Sequence, residues 1–209
     1  MVEFISTYGV WLVAGFIALE SIGAPLPAEA AIMAAGFFAA RTHDLDIRLL
    51  IVVGSAAAIL GNAAGFWIGR RFGYHLLTRY GHRVGLTEAR IRIGQWLFVR
   101  YGGRFVFIAR FLPFLRNMAA ILAGANAMPK ALFHVASGSA AIVWVALYSL
   151  ASYALGEAFA DLASSAAIGL GVVAMAIIIA IPSLILRYEE RLLAKAESDL
   201  PGPPVGPAA

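Results

Sequence analysis

The stretch RFVFIARFLPFLRNMAAILAG, residues 104–124, is almost wholly apolar, yet it contains Arg110 and Arg116, with Pro113 midway between them. An arginine at the centre of a bilayer costs about 2.5 to 3.5 kcal/mol on insertion scales, so neither guanidinium is expected to face lipid. Pro113 removes a backbone donor and disfavours helix in the residue before it. Interrupted backbone at membrane depth is tolerated where it is buried in protein or lines a wet cavity. The stretch therefore predicts a re-entrant helical hairpin that brings two cations into the membrane interior.

The composition of the whole chain agrees with a membrane location. Its 209 residues are 61% hydrophobic with a mean hydropathy of +0.82, which is too apolar for an ordinary soluble protein. The net charge of +4 comes from basic residues between hydrophobic runs, a pattern that membrane topology and anionic lipid explain better than nucleic acid does. The absence of cysteine excludes a disulfide, a thiolate nucleophile and a sulfur-ligated metal site. We expect an all-α polytopic membrane protein.

A second interrupted segment, ESIGAPLPAE at residues 20–29, contains carboxylates instead of guanidiniums. Glu20 and Glu29 flank a break formed by Pro25 and Pro27. The apolar run that follows is 11 residues long, about half the length of a bilayer crossing. We therefore predict a second re-entrant helical hairpin in this part of the chain.

Around these hairpins, about four apolar runs are long enough to cross a bilayer when their polar ends are counted. They lie at residues 4–19, 49–68, 131–155 and 166–186. The connection at 70–104 contains eight arginines against one acid, so the positive-inside rule places it, with both termini, in the cytoplasm. A short outer loop is expected at 156–165. Residues 1–195 then form one membrane domain, and the tail at 196–209 is expected to be disordered.

Assigning sides to these segments predicts an inverted repeat. The carboxylate hairpin dips from the outer face and the arginine hairpin from the cytoplasmic face, so the two broken segments meet near the midplane. Interrupted helices paired in this way form the substrate site of alternating-access transporters. The predicted architecture is about four transmembrane helices plus two re-entrant hairpins.

The glycines Gly61, Gly65 and Gly69 recur at four-residue spacing in the second predicted span. A ridge without side chains lets a neighbouring helix approach closely, so we assign these glycines a packing role. Gly124, at the end of the arginine stretch, is also assigned a structural role. The prolines at the two breaks, Pro25, Pro27 and Pro113, are assigned a structural role as well. Asn62 adds an uncharged polar side chain beside the ridge.

Together these motifs resemble the DedA family of bacterial inner-membrane proteins, which is related to the eukaryotic VTT-domain proteins. The resemblance covers roughly residues 15–156 and depends on ESIGAPLPAE, GNAAGFWIGRRFG, FIARFLPFLRNMAAILAGANAMP and FHVASGSAAIVWVALYSLASYALG. It implies a protein that moves undecaprenyl phosphate or phospholipids between leaflets, with protons as a coupling partner. It also implies that Glu20 and Glu29 are the functional acids and that Arg110 and Arg116 are the functional arginines. The family often has aspartate where this chain has Asn62, which bears on the coupling.

The residue types fit that expectation chemically. The planar guanidinium of arginine binds phosphate oxygens in pairs and stays protonated when desolvated. We therefore assign Arg110 and Arg116 to the phosphate of a lipid. Glu20 and Glu29 are assigned to proton coupling, since a phosphate that displaces a carboxylate from arginine favours proton uptake. The expected partners are membrane lipids and protons, without nucleic acid, metal or cofactor, and the oligomeric state is left open.

Three other interpretations stand beside this one. In the first, the four charged side chains pair only with one another and hold the hairpins together. In the second, the chain is a proton-coupled transporter of an ion or small solute, with a site that does not open laterally to lipid. The third, an integral-membrane phosphatase or other enzyme, is the weakest because the arginine motif offers no His or Asp nucleophile. The sequence therefore favours a transporter over an enzyme.

Overall fold

The computed structural model describes residues 2–24, 26–80, 96–98, 100–111, 113–161 and 198–199. Within those ranges the regular secondary structure is helical, without a strand. The helices are α1 (Val2–Ile22), α2 (Ala28–Thr42), α3 (Ile47–Tyr80), α4 (Gly103–Ala109), α5 (Pro113–Ala125) and α6 (Lys130–Asp161). The all-α prediction is confirmed for this part of the chain.

Two of the helices, α3 and α6, are long and apolar enough to cross a bilayer. The qualifying segments are Ile47–Phe72, with 26 residues, and Lys130–Glu157, with 28, whereas a crossing needs about 20. Large apolar side chains on the outside of the molecule, such as Val135 at 71% exposure, agree with a lipid-facing surface. In α1 the apolar segment Tyr8–Ile22 is shorter. The predicted span at 166–186 lies outside the described residues.

The first interruption separates α1 from α2. Gly23 follows α1 with a φ of 127°, which favours glycine, and Pro27 occupies the N-cap of α2. Glu20 lies in the last turn of α1 and Glu29 in the first turn of α2, so the break lies between the two carboxylates. Pro25 lies outside the described residues.

The second interruption separates α4 from α5. Arg110 lies in the turn after α4, and Pro113 is the first residue of α5. Proline suits this position because the N–H it lacks would have no partner within the helix. Arg116 consequently lies in the first turn of α5. Both interruptions thus position charged side chains at helix ends.

The glycine ridge lies where α3 crosses α1 and α5. A Cβ on Gly61 would lie 2.7 Å from the Cβ of Ser21 in α1, and one on Gly69 would meet the backbone of Ile121 in α5. The same crossings contain Gly65 and Gly124. Elsewhere α6 packs against α2, α3 and α4. The close approach of backbones at the ridge brings the ends of α1 and α5 together beside α3.

Two helices continue beyond the ends that hydropathy predicts. The helix α3 continues past its apolar segment, which ends at Phe72, to position 80, so the first part of the basic connection predicted at 70–104 is helical. Residues 81–95 of that connection lie outside the described residues. The outer loop predicted at 156–165 is wrong for its first part, because α6 is helical to Asp161. Charged residues end an apolar run without breaking helical hydrogen bonds. Gly156 lies within α6 at a point where α2 packs closely, since a Cβ there would lie 2.7 Å from the Cβ of Ala40.

Candidate functional site

The two interrupted segments meet at Arg116. Its Nη2 donates to Oε1 of Glu20 at 2.5 Å and to Oε2 of Glu29 at 2.6 Å, and its Nη1 also pairs with Glu29. The side chain of Glu20 is 5% exposed and that of Glu29 is 24% exposed. One cation is therefore shared by both predicted acids, and it links the start of α5 to the end of α1 and the start of α2.

Arg110 is buried and bonded to neutral groups. Its Nη1 donates to Oδ1 of Asn62 at 2.8 Å, and its Nη2 donates to Oγ of Ser21 at 3.2 Å. Among the described residues no carboxylate lies within ion-pair distance of this guanidinium, although the charge of Glu20 is near enough to attract it. Because the observed bonds of Arg110 go to neutral acceptors, an incoming anion does not have to displace a carboxylate bonded to this guanidinium.

The indole ring of Trp144 lies against both guanidiniums. The ring centroid is 4.8 Å from Cζ of Arg110 and 5.7 Å from Cζ of Arg116, within the range of cation–π attraction. Trp144 is 1% exposed and belongs to the main apolar core, and the ring of Tyr148 lies 5.4 Å from it. The helix α6 thus supplies a fixed aromatic surface that holds two like charges side by side.

Three buried donors at this site have no acceptor within the described part of the chain. They are Nε of Arg110, Nε of Arg116 and Nδ2 of Asn62. The same three side chains line a cavity of about 10 Å³, close to the least volume that holds one water. A buried polar group without a partner costs about 1 to 3 kcal/mol. Unpaired donors around one cavity suit a species rich in acceptors, such as water or the oxygens of an anion.

The structure brings the four predicted charged residues into one cluster, while the roles assigned to them stay predictions. Asn62, at the position where the family often has aspartate, accepts from Arg110 through its amide oxygen. Two members of the site were missed from the sequence, Ser21 and Trp144. The sequence did contain an indication of Trp144, because Trp144 and Tyr148 are four residues apart and therefore share a helix face. Ser21 offered none.

Comparison with known proteins identifies a family. Residues 26–154 match the VTT domain, an interval that includes Glu29, Asn62 and both arginines and begins after Glu20. An uncharacterized membrane protein of Synechocystis sp. is 33% identical over 155 residues, 74% of this chain and 71% of its own length. Protein DedA of Escherichia coli is 29% identical over 163 residues, 75% of this chain and 74% of its own. An uncharacterized membrane protein of Mycobacterium bovis is 36% identical over 140 residues, 65% of this chain and 64% of its own. No solved structure matches the chain significantly.

Proposed function

The chain belongs to the VTT domain (DedA) family of membrane proteins, and on that premise we propose that it transports a lipid phosphate between the leaflets of a membrane. The proposed substrate is undecaprenyl phosphate or a phospholipid. The observation that supports this most directly is the set of unpaired buried donors on Arg110, Arg116 and Asn62. The remaining side chains around them are mostly apolar, which suits a ligand with a charged head and a hydrocarbon tail.

A phosphate supplies the acceptors that these donors lack. The two Nε groups belong to neighbouring guanidiniums on one aromatic surface, so a single phosphate between them accepts from both. Hydrogen bonds to charged groups contribute about 1.5 to 3 kcal/mol each. The Asn62 amide adds a neutral donor, while the lipid tail stays in the hydrocarbon. Arg110 and Arg116 are the substrate-binding residues of this proposal.

Proton coupling is assigned to Glu20 and Glu29. In the absence of substrate, two carboxylates balance two guanidiniums at the site. An incoming phosphate adds negative charge and competes for Arg116, which favours protonation of the carboxylate that is released. Glu29 is the more exposed of the two side chains, 24% against 5%, so it is the group that exchanges its proton with water.

Transport requires the site to open, because a cavity of about 10 Å³ does not hold a lipid headgroup. In our proposal the two interrupted segments are re-entrant hairpins that enter from opposite faces, and their separation exposes the site to each side in turn. About four transmembrane helices surround them. The protein lies in the bacterial inner membrane with both termini in the cytoplasm.

A second candidate function is proton-coupled transport of an ion or small solute. It is favoured by the same small cavity, which fits a dehydrated ion more readily than a headgroup. The two functions differ in the substrate that crosses: a lipid between leaflets, or a soluble species between compartments.

The deciding experiment uses the full chain reconstituted in sealed vesicles. One arm follows the movement of a polyprenyl phosphate to the outer leaflet by its cleavage with an added phosphatase, and the other follows uptake of inorganic phosphate. We expect lipid movement in the first arm, reduced at least about tenfold by Arg116→Lys, which keeps the charge and loses the planar fork. Arg104→Lys, on an exposed residue, is the matched control. Uptake of the soluble anion without lipid movement would support the second candidate instead.

A further inference from the structure

A second cationic cavity lies between α3 and the first turns of α6, distinct from the cavity at Arg110 and Arg116. Its volume is about 410 Å³. Its lining includes two aromatic rings and four basic side chains: Phe66, Trp67, Arg70, Arg71, Lys130 and His134. None of the described residues that line it is acidic. The cavity therefore concentrates positive charge, and the transport mechanism above does not use it.

All four basic side chains are exposed, and one of them, Arg70, is also bonded to the protein. Arg70 donates from Nη1 to the carbonyl of Met128 at 3.1 Å, and its Cζ lies 5.9 Å from the centroid of the Phe66 ring. That bond uses one of the five N–H donors of the guanidinium. Arg71 and Lys130 are exposed. The cavity thus has one preorganised cation and two that adjust to a ligand.

The position of the cavity corresponds to the edge of a membrane. The apolar segment of α3 ends at Phe72 and that of α6 begins at Lys130, so both apolar segments terminate beside the cavity. The indole of Trp67 is 63% exposed at the same level, and tryptophan favours the interface between lipid and water. A soluble anion would need only the cations. Cations together with an exposed indole at this depth suit an anion that is attached to a hydrocarbon chain.

We propose that this cavity binds the phosphate group of an anionic lipid at the membrane interface. Phe66 lines it, and Phe133 lines the inner cavity at Arg110. The two rings stack with centroids 4.3 Å apart and an interplanar angle of 19°, so the ring pair separates the two cavities. The bound lipid is then one ring pair away from the transport site. A role as the site where the lipid binds before transport depends on the proposed transport function, whereas the binding of the lipid does not.

The test measures lipid binding to the detergent-solubilised full chain by native mass spectrometry. The probe is dioleoyl phosphatidic acid, the zwitterionic comparison is dioleoyl phosphatidylcholine, and inorganic phosphate is the soluble competitor. The variant is the double substitution Arg71→Gln and Lys130→Gln, which leaves the bonded Arg70 intact. The matched control is Arg41→Gln with Arg48→Gln, which removes the same charge from exposed positions away from the cavity.

We expect the Kd for phosphatidic acid to rise about 25-fold in the cavity variant, or about fivefold for each cation removed near a lipid surface. The control variant should stay within about threefold of the wild type, because distant exposed charges act weakly. An equal loss in both variants, equal binding of phosphatidylcholine, or displacement by inorganic phosphate at matched concentration would each overturn the assignment to an anionic lipid.

Lipid phosphate transport by the wild type and the cavity variant is also measured in vesicles, so that failure of the binding site can be distinguished from failure of the transport function. If the wild type binds phosphatidic acid selectively through the cavity but moves no lipid phosphate, the binding site stands and the transport function fails. If the wild type moves lipid phosphate and the cavity variant binds phosphatidic acid normally, the transport function stands and the binding site fails. If both the transport function and the binding site are supported, Arg110→Lys should lower transport while phosphatidic acid still binds the cavity between α3 and α6.

Discussion

Replacing Arg110 with lysine is expected to keep the buried positive charge and to lose the geometry of the guanidinium. The wild-type side chain donates to Asn62 at 2.8 Å and to Ser21 at 3.2 Å while its Nε remains for a ligand. The lysine ammonium is a point charge on a flexible four-carbon stem, and without the planar fork it does not serve all three directions. Each hydrogen bond of this charged kind contributes about 1.5 to 3 kcal/mol. Loss of one bond to the phosphate therefore predicts transport about 10- to 150-fold slower at low substrate concentration.

The assay is movement of a polyprenyl phosphate in vesicles, normalised to the amount of folded protein. Arg104→Lys is the control, since this exposed residue lies in α4 and surface substitutions change stability by about 0.5 kcal/mol or less. Thermal unfolding of both variants is measured in parallel. If folded Arg110→Lys moves the lipid at the wild-type rate, the guanidinium does not bind substrate. If the lost activity matches the lost folded fraction, Arg110 has only a structural role.

The other predictions concern coupling, packing and topology. Glu29→Gln removes a titrating proton at nearly constant shape, so transport measured across a range of pH should vary less than in the wild type; an unchanged profile would exclude this carboxylate from coupling. Gly124→Ala should lower the free energy of unfolding by about 1 to 3 kcal/mol, because its Cβ would meet the backbone of α3. Gly138→Ala meets nothing within 4 Å and should be neutral or stabilising in a thermal melt, and equal effects of the two would contradict the packing argument. In a chain without native cysteine, thiol labels introduced at Phe37 and Ala127 should be reached from opposite sides of the membrane, and access from one side would rule out the inverted repeat.

The helices and their interruptions follow from local properties of the sequence. An arginine is costly in lipid wherever it stands, and a proline lacks its N–H in every context, so the stretch around Pro113 predicts an interruption without knowledge of its neighbours. The structure starts α5 at this proline. The four-residue spacing of the glycines likewise indicates a close helix crossing before its partner is known. Helix ends without a breaker were less predictable, because α3 and α6 continue past the polar residues where hydropathy falls.

The pairing of the charged groups was decided by the tertiary structure alone. The sequence predicts two acids and two arginines at one site, but it does not distinguish Arg116, which binds both carboxylates, from Arg110, which binds Asn62 and Ser21. The bonds of Arg116 join residues that are 87 and 96 positions apart in the chain. Helical periodicity relates only residues three or four apart, so contacts between distant segments depend on how α1, α3, α5 and α6 pack. That packing also positions Trp144 against both guanidiniums, and it places three side chains with unpaired buried donors around one small cavity.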